Sequence, residues 1–261
     1  MGRSEVADST PLGVCRMGLA YDGTGFRGFA LQPDQRTVEG VLAAAIEKVV
    51  GRRVALAVAG RTDTGVHASG QVVSFEAPIT LDPARLTVSL NSMLGPEVVV
   101  RDARLMPNDF HARYSARWRK YRYTILNCAV PDPFIARTSW HISAPLDLDA
   151  LHLASDPFVG EHDFASFSRK LGDGKSTVRR VFESRWADLG DGVLRYEIRA
   201  NAFCQQMVRS IVGTLVEVGT GKQRPGDILG MLCARDRSVV GSPAPPHGLC
   251  LWEVGYDDVE S

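Results

Sequence analysis

From Val14 to Tyr21 apolar and polar positions alternate with the two-residue period of a strand, and the alternation stops at the turn-forming run Asp22-Gly23-Thr24-Gly25. After Thr37, a helix N-cap, Val38, Val41, Leu42, Ala45 and Val49 recur on one helical face. Val54 to Ala59 reads as a strand, Gly60 to Gly70 as a loop and Gln71 to Phe75 as another strand. Asp82-Pro83 opens a second helix as cap and first-turn residue, and Val98 to Leu105 closes the first half as a strand. The second half follows the same scheme. Tyr121 to Leu126, Val178 to Ala187 and Val193 to Arg199 read as strands; Leu148 to Ala154 and Phe203 to Val218 read as helices. The proline-rich stretch Ser242 to His247 is expected to be loop and not helix.

Strands and helices alternating in both halves predict an α+β fold of two ferredoxin-like lobes, residues 12–110 and 111–258, with mainly antiparallel sheets. A central cleft between them is the expected site. At 261 residues, 44% hydrophobic, the chain is long enough to bury such a core. Its 30 Lys and Arg balance 30 Asp and Glu, so any surface for a polyanion must be local. Five scattered cysteines, with no C-x-x-C and no Cys/His cluster, point to reduced cytoplasmic thiols and away from structural zinc. No segment reads as a secretory signal or membrane span.

The loop Gly60-Arg61-Thr62-Asp63-Thr64-Gly65-Val66-His67-Ala68-Ser69-Gly70 concentrates the candidate chemistry. Its three glycines permit tight backbone geometry, and Asp63 is the single carboxylate between Glu47 and Glu76. Taken alone, Asp63 fits an Asx turn as well as a reacting acid. Further on, Arg113, Arg117, Arg119, Lys120 and Arg122 fall in ten acid-free residues, interleaved with Tyr114, Trp118 and Tyr121. That mixture fits RNA phosphates and bases, or simply a solvated basic face. Arg169, Lys170, Lys175, Arg179 and Arg180 form a second basic cluster in an expected loop.

The run G-R-T-D-x-G-V-H followed by G-Q-V, with Thr64 at the variable place, resembles the signature of the TruA-type tRNA pseudouridine synthases. The similarity extends through Tyr21-Asp22-Gly23, Asp109 to Arg113, Lys120 to Tyr123, Asp163 to Phe167, Asn201 to Phe203, Met207 to Gly213 and Gly248-Leu249. The resemblance implies isomerisation of uridine to pseudouridine at positions 38 to 40 of the tRNA anticodon arm, by a homodimer with no cofactor or metal. It makes Asp63 the catalytic carboxylate and Arg209 the arginine paired with it. It sets Tyr121 against the target base and has Arg61 hold the extruded nucleotide. Arg117, Arg119, Lys120 and Arg122 are then the expected phosphate contacts.

From the residues alone Arg209 could equally be solvated, since Gln205, Gln206, Val212 and Gly213 are its helical neighbours and none is acidic. Tyr121 could be an inward strand aromatic, and Arg61 a surface charge. His67 is expected to bond backbone groups and take no chemical step. Gly28-Phe29-Ala30 and Asn91-Ser92-Met93-Leu94 depart from the family's usual Gly-Trp-Gln and Asn-x-Leu-Pro, in segments that bear on RNA placement. Two readings stand beside the isomerase: a non-catalytic RNA-binding module, and an aspartic protease built on Asp63-Thr64-Gly65. A nucleoside hydrolase would need a second acid.

Overall fold

A computed structural model of the chain describes residues 11–169 and 176–257. Strand β1 (Leu12–Tyr21) alternates as its sequence requires and buries Cys15, Met17, Leu19 and Tyr21. Helix α1 (Val38–Val50) starts where the Thr37 side chain accepts from Gly40 N and ends at Gly51, whose φ of 77° is a glycine C-cap. Its inward face is Val38, Leu42, Ala45 and Ile46, whereas Val49 is exposed. Each of the larger side chains gains roughly 1.5–3 kcal/mol on burial.

The Val54 to Ala59 strand is reduced to β2 (Ala57–Val58), and β3 (His67–Pro78) begins four residues before Gln71, so the loop is shorter than its glycines implied. Helix α2 (Pro83–Leu94) is capped by Asp82, which accepts from Ala84 N and Arg85 N; β4 (Val98–Met106) follows. The second half comprises β5 (Ala116–Asn127), β6 (Trp140–Ile142), α3 (Leu148–Ser155), β7 (Gly160–Asp163), β8 (Val178–Asp188) and β9 (Val193–Ala200). Then come α4 (Met207–Gly219), α5 (Asp227–Ala234) and β10 (Leu249–Tyr256). No helix of the described residues is long and apolar enough to cross a membrane.

In place of separate sheets, one ten-stranded sheet runs β4-β1-β3-β10-β5-β9-β8-β7, with β2 beside β3 and β6 beside β5. It is antiparallel except at β10–β3 and β5–β6. Strand β10, which the hydrophobic pattern left unassigned, joins the halves. It pairs with β5 along its length and meets β3 at Cys250↔His67 and Leu251↔Ala68. Helix α1 packs on α2, α2 on β4, and α3 on α4 and β8.

Candidate active site

The segment from Gly60 to Val66 is short and heavily braced. Gln71 Nε2 donates to Gly60 O at 2.6 Å and to Tyr21 Oη at 3.3 Å, and Tyr21 Oη lies 2.8 Å from Thr62 Oγ1. Phe29 N donates to Thr62 O at 3.0 Å, and Val66 N to Asp63 O at 3.1 Å. Gly28, at φ 90°, backs onto the same turn: a Cβ there would sit 2.9 Å from Thr62 O. The Phe29 that departs from the family pattern is fully buried behind the loop. The backbone of Asp63 is therefore fixed, yet its side chain accepts no hydrogen bond from its own turn, unlike an Asx cap.

The partner of Asp63 arrives from the other half. Helix α4 starts at Met207, four residues later than its pattern predicts, after Gln206 in a left-handed conformation (φ 63°). Arg209, in the first turn, places Nη1 3.8 Å from Asp63 Oδ2. Its Nε donates to Ala244 O at 2.7 Å, and Ala244 N donates back to Arg209 O at 2.9 Å. Gly213 makes this approach possible, because a Cβ there would lie 2.2 Å from Ser242 O. The proline-rich stretch thus aims the guanidinium, and its only helical feature is a single tight turn at Pro246–Gly248.

Both residues line a cleft of about 1360 Å³ together with Arg61, Tyr121, Phe203, Gln206 and Leu249. Tyr121 is buried, with Phe203 edge-on at 4.9 Å, and burial, with Tyr21 and Asp63 nearby, pushes its hydroxyl well above the ordinary tyrosine value. Arg61 is exposed on the wall. Among the described residues seven arginines line the cleft, Arg52, Arg53 and Arg179 included, against the two carboxylates Asp63 and Glu76. A chain of zero net charge thereby carries a local cationic hollow.

The basic run on β5 is disposed differently from its expected role. Arg119 is buried and its five N–H groups all meet backbone carbonyls, at Ala59 (twice), Arg113, Ala116 and Asn201, so it has no donor left for a phosphate. Burial lowers its pKa from the usual arginine value. Lys120 and Arg122 lie across the strand and pair with Glu197 at 3.1 and 2.6 Å. Arg117 donates to Asp257 at 2.6 Å. Cross-strand acids that are remote in sequence occupy charges which look free along the chain. In the second cluster Arg179 and Arg180 sit on β8 and not on a loop, and Lys170 and Lys175 lie outside the described residues. His67, on β3, contacts backbone at Gly23 N, Arg137 O and His247 O.

Sequence reasoning missed Gln71, Phe203, Gln206 and Ala244 as supports of the site. Only Gln71 and Phe203 lay in recognised motifs, and backbone contacts such as Ala244 O leave no trace in residue type.

A family model described as tRNA pseudouridine synthase matches residues 19–115 and 154–257. The chain is 41% identical over 242 residues to a Bacillus licheniformis protein named tRNA pseudouridine synthase A, covering 92% of this chain and 98% of that one. Proteins of the same name from Brevibacillus brevis and Geotalea daltonii are 43% and 42% identical over 238 residues, each covering 91% of this chain and 97% of the relative. With the Asp63 loop, Arg209 and Tyr121 meeting in one arginine-lined cleft, and with likeness of this extent, the chain belongs to the tRNA pseudouridine synthase family.

Proposed function

We propose that the chain isomerises uridine to pseudouridine in tRNA, at positions 38 to 40 of the anticodon arm, with Asp63 as the initiating group. The observation that carries this reading is a single carboxylate on a braced turn, its oxygens unclaimed by that turn, facing Arg209 in a cationic cleft. The reaction breaks the N1–C1′ bond, turns the uracil, joins C5 to C1′ and removes the C5 proton. Nothing is gained or lost overall, so the chemistry requires no cofactor. Asp63 can start it by attacking the nucleoside or by taking the C2′ proton, and each route uses a free carboxylate oxygen.

Tyr121 offers a ring for stacking, fixed edge-on by Phe203, and with its raised pKa it meets the base as a neutral hydroxyl donor. Arg61 at the wall fits the role of holding the nucleotide out of its stem, which the enzyme needs because C1′ and C5 are inaccessible in a stack. The first half runs strand-helix-strand-strand-helix-strand, and the second repeats that order in β5, α3, β8, β9, α4 and β10 with β6, β7 and α5 added. The orders β4-β1-β3-β2 and β10-β5-β9-β8 support two ferredoxin-like lobes over 12–110 and 111–258 joined edge to edge. A homodimer in the cytoplasm belongs to the same reading, on the family resemblance and the scattered thiols.

Incubation with unmodified tRNA carrying 5-tritiated uridine tests the proposal. Tritium should pass to water and pseudouridine should appear on nuclease digestion. Free uracil would indicate a hydrolase, and intact uridine with retained binding would indicate an RNA-binding module.

A further inference from the structure

We propose that Tyr114 is a stacking platform for an unpaired RNA base flanking the target nucleotide, a second subsite in the cleft that holds Asp63; this rests on RNA being the substrate. Tyr114 is 74% exposed, yet the turn that carries it is tied by several side-chain hydrogen bonds. Arg113 N and Tyr114 N both donate to His111 Nδ1, at 3.1 and 3.3 Å, and His111 N donates to Ser115 Oγ at 3.0 Å. Arg113 O accepts from Arg119 Nη2 at 2.8 Å. Ala112 is held from both sides, its N–H by Ser74 Oγ at 3.0 Å and its carbonyl by Tyr256 Oη at 2.7 Å. A ring presented on so rigid a base loses little freedom when a ligand covers it.

The surroundings point to a nucleobase. His111 lies against one side of the ring, centroids 4.4 Å apart and planes 34° apart, and the Arg113 guanidinium is 5.6 Å from the centroid. Both flanking side chains line the same cleft as Asp63. A π face with an adjacent exposed cation suits a base and its phosphate, and every base offers such a face. Phe134 is more exposed, at 93%, but does not line the cleft. The platform's spacing from the reacting centre is also fixed, because Arg119 binds Arg113 O and Ala59 O with one guanidinium.

The test compares Tyr114→Phe and Tyr114→Ser for tRNA affinity and for single-turnover pseudouridine formation at saturating enzyme. Loss of the ring in Tyr114→Ser should weaken binding about tenfold, and Tyr114→Phe should bind within about twofold of wild type. Saturating rates should stay near wild type in both. The dependence of log Kd on log salt should keep its slope, whereas Arg113→Gln should reduce that slope by about one. Wild-type affinity in Tyr114→Ser would overturn the proposal, as would equal losses in the two variants or a fallen saturating rate with affinity intact. If Tyr114→Ser does not fold, Tyr114→Leu, which keeps apolar bulk without a π face, carries the same expectation. A wild-type protein that forms no pseudouridine would instead sink the proposed function.

Discussion

The two faces of β5 hold charge in opposite ways. On one, Glu197 of β9 lies directly across from Arg122 and from Arg185 of β8, and it receives Arg122, Arg185 and Lys120 at 2.6, 2.7 and 3.1 Å. Burial alone would raise its carboxyl, but hydrogen bonds from Arg185 and Lys120 and the charges of Arg122 and Lys120 hold it down at about 2. On the other face, where Tyr121 points into the cleft, Asp63 has a single cation among the described residues, at 3.8 Å. A saturated cluster locks strands together and leaves no vacancy for a ligand. An undersaturated pair on a rigid turn keeps oxygens and donors available for substrate, which is what electrostatic preorganisation requires.

The largest effect should come from removing the undersaturated acid. In Asp63→Asn, pseudouridine formation at saturating enzyme should fall by ~10³-fold or more. Binding of tRNA should persist or tighten slightly, since one negative charge leaves the cationic cleft. A folded mutant that still converts uridine near the wild-type rate would remove Asp63 from the mechanism.

Arg209→Ala should lower the single-turnover rate on the order of a hundredfold, with Arg209→Lys recovering part of it. Lysine restores charge but not the planar fork that reaches Ala244 O and Asp63 together. Equal losses in the two variants would show that fork geometry and not charge is what matters there.

Arg119→Gln probes the tie between the faces. Leaving buried carbonyls at Ala59, Arg113 and Asn201 without donors should cost about 2–4 kcal/mol of stability, read by denaturant midpoint. Turnover should drop about tenfold as the Asp63 turn loosens. The salt dependence of tRNA binding should not change, and a slope reduced by one would return Arg119 to the phosphate contacts.

Glu197→Gln should have the smallest effect on turnover, within about twofold, because Glu197 is not on the cleft. Its signature is in acid stability. A carboxyl depressed from the ordinary 4.5 to about 2 contributes stability that is complete above pH 4.5 and lost as pH falls toward 2. The mutant's stability should therefore fall less than wild type across that window, when the two are compared by thermal midpoint. Parallel curves would contradict the cluster's role.

Helix α1 was legible at its start because the Thr37 cap acts within three residues of itself, whereas its glycine C-cap, Gly51, was shown only by the structure. Strand β10 was not legible, since an irregularity between Leu251 and Glu253 breaks its alternation: Leu249, Leu251 and Val254 are buried while Trp252 and Glu253 are both exposed. The Asp63 loop was recognisable as a motif, but its length was overread: His67, Ala68, Ser69 and Gly70 are strand despite their turn-like composition.

Local chemistry in the sequence determined where α1 and α2 begin, which loop bears the lone acid and which residues can carry cations. These depend on contacts within a turn or two. Tertiary structure decided which cations are free. Arg119 and Arg122 are the same residue type three positions apart. One is consumed by four backbone carbonyls and the other by a glutamate 75 residues away, while Arg209 reaches Asp63 across 146 residues. Charge pairing acts through space at a few ångströms, so only the fold that brings distant strands together could assign it.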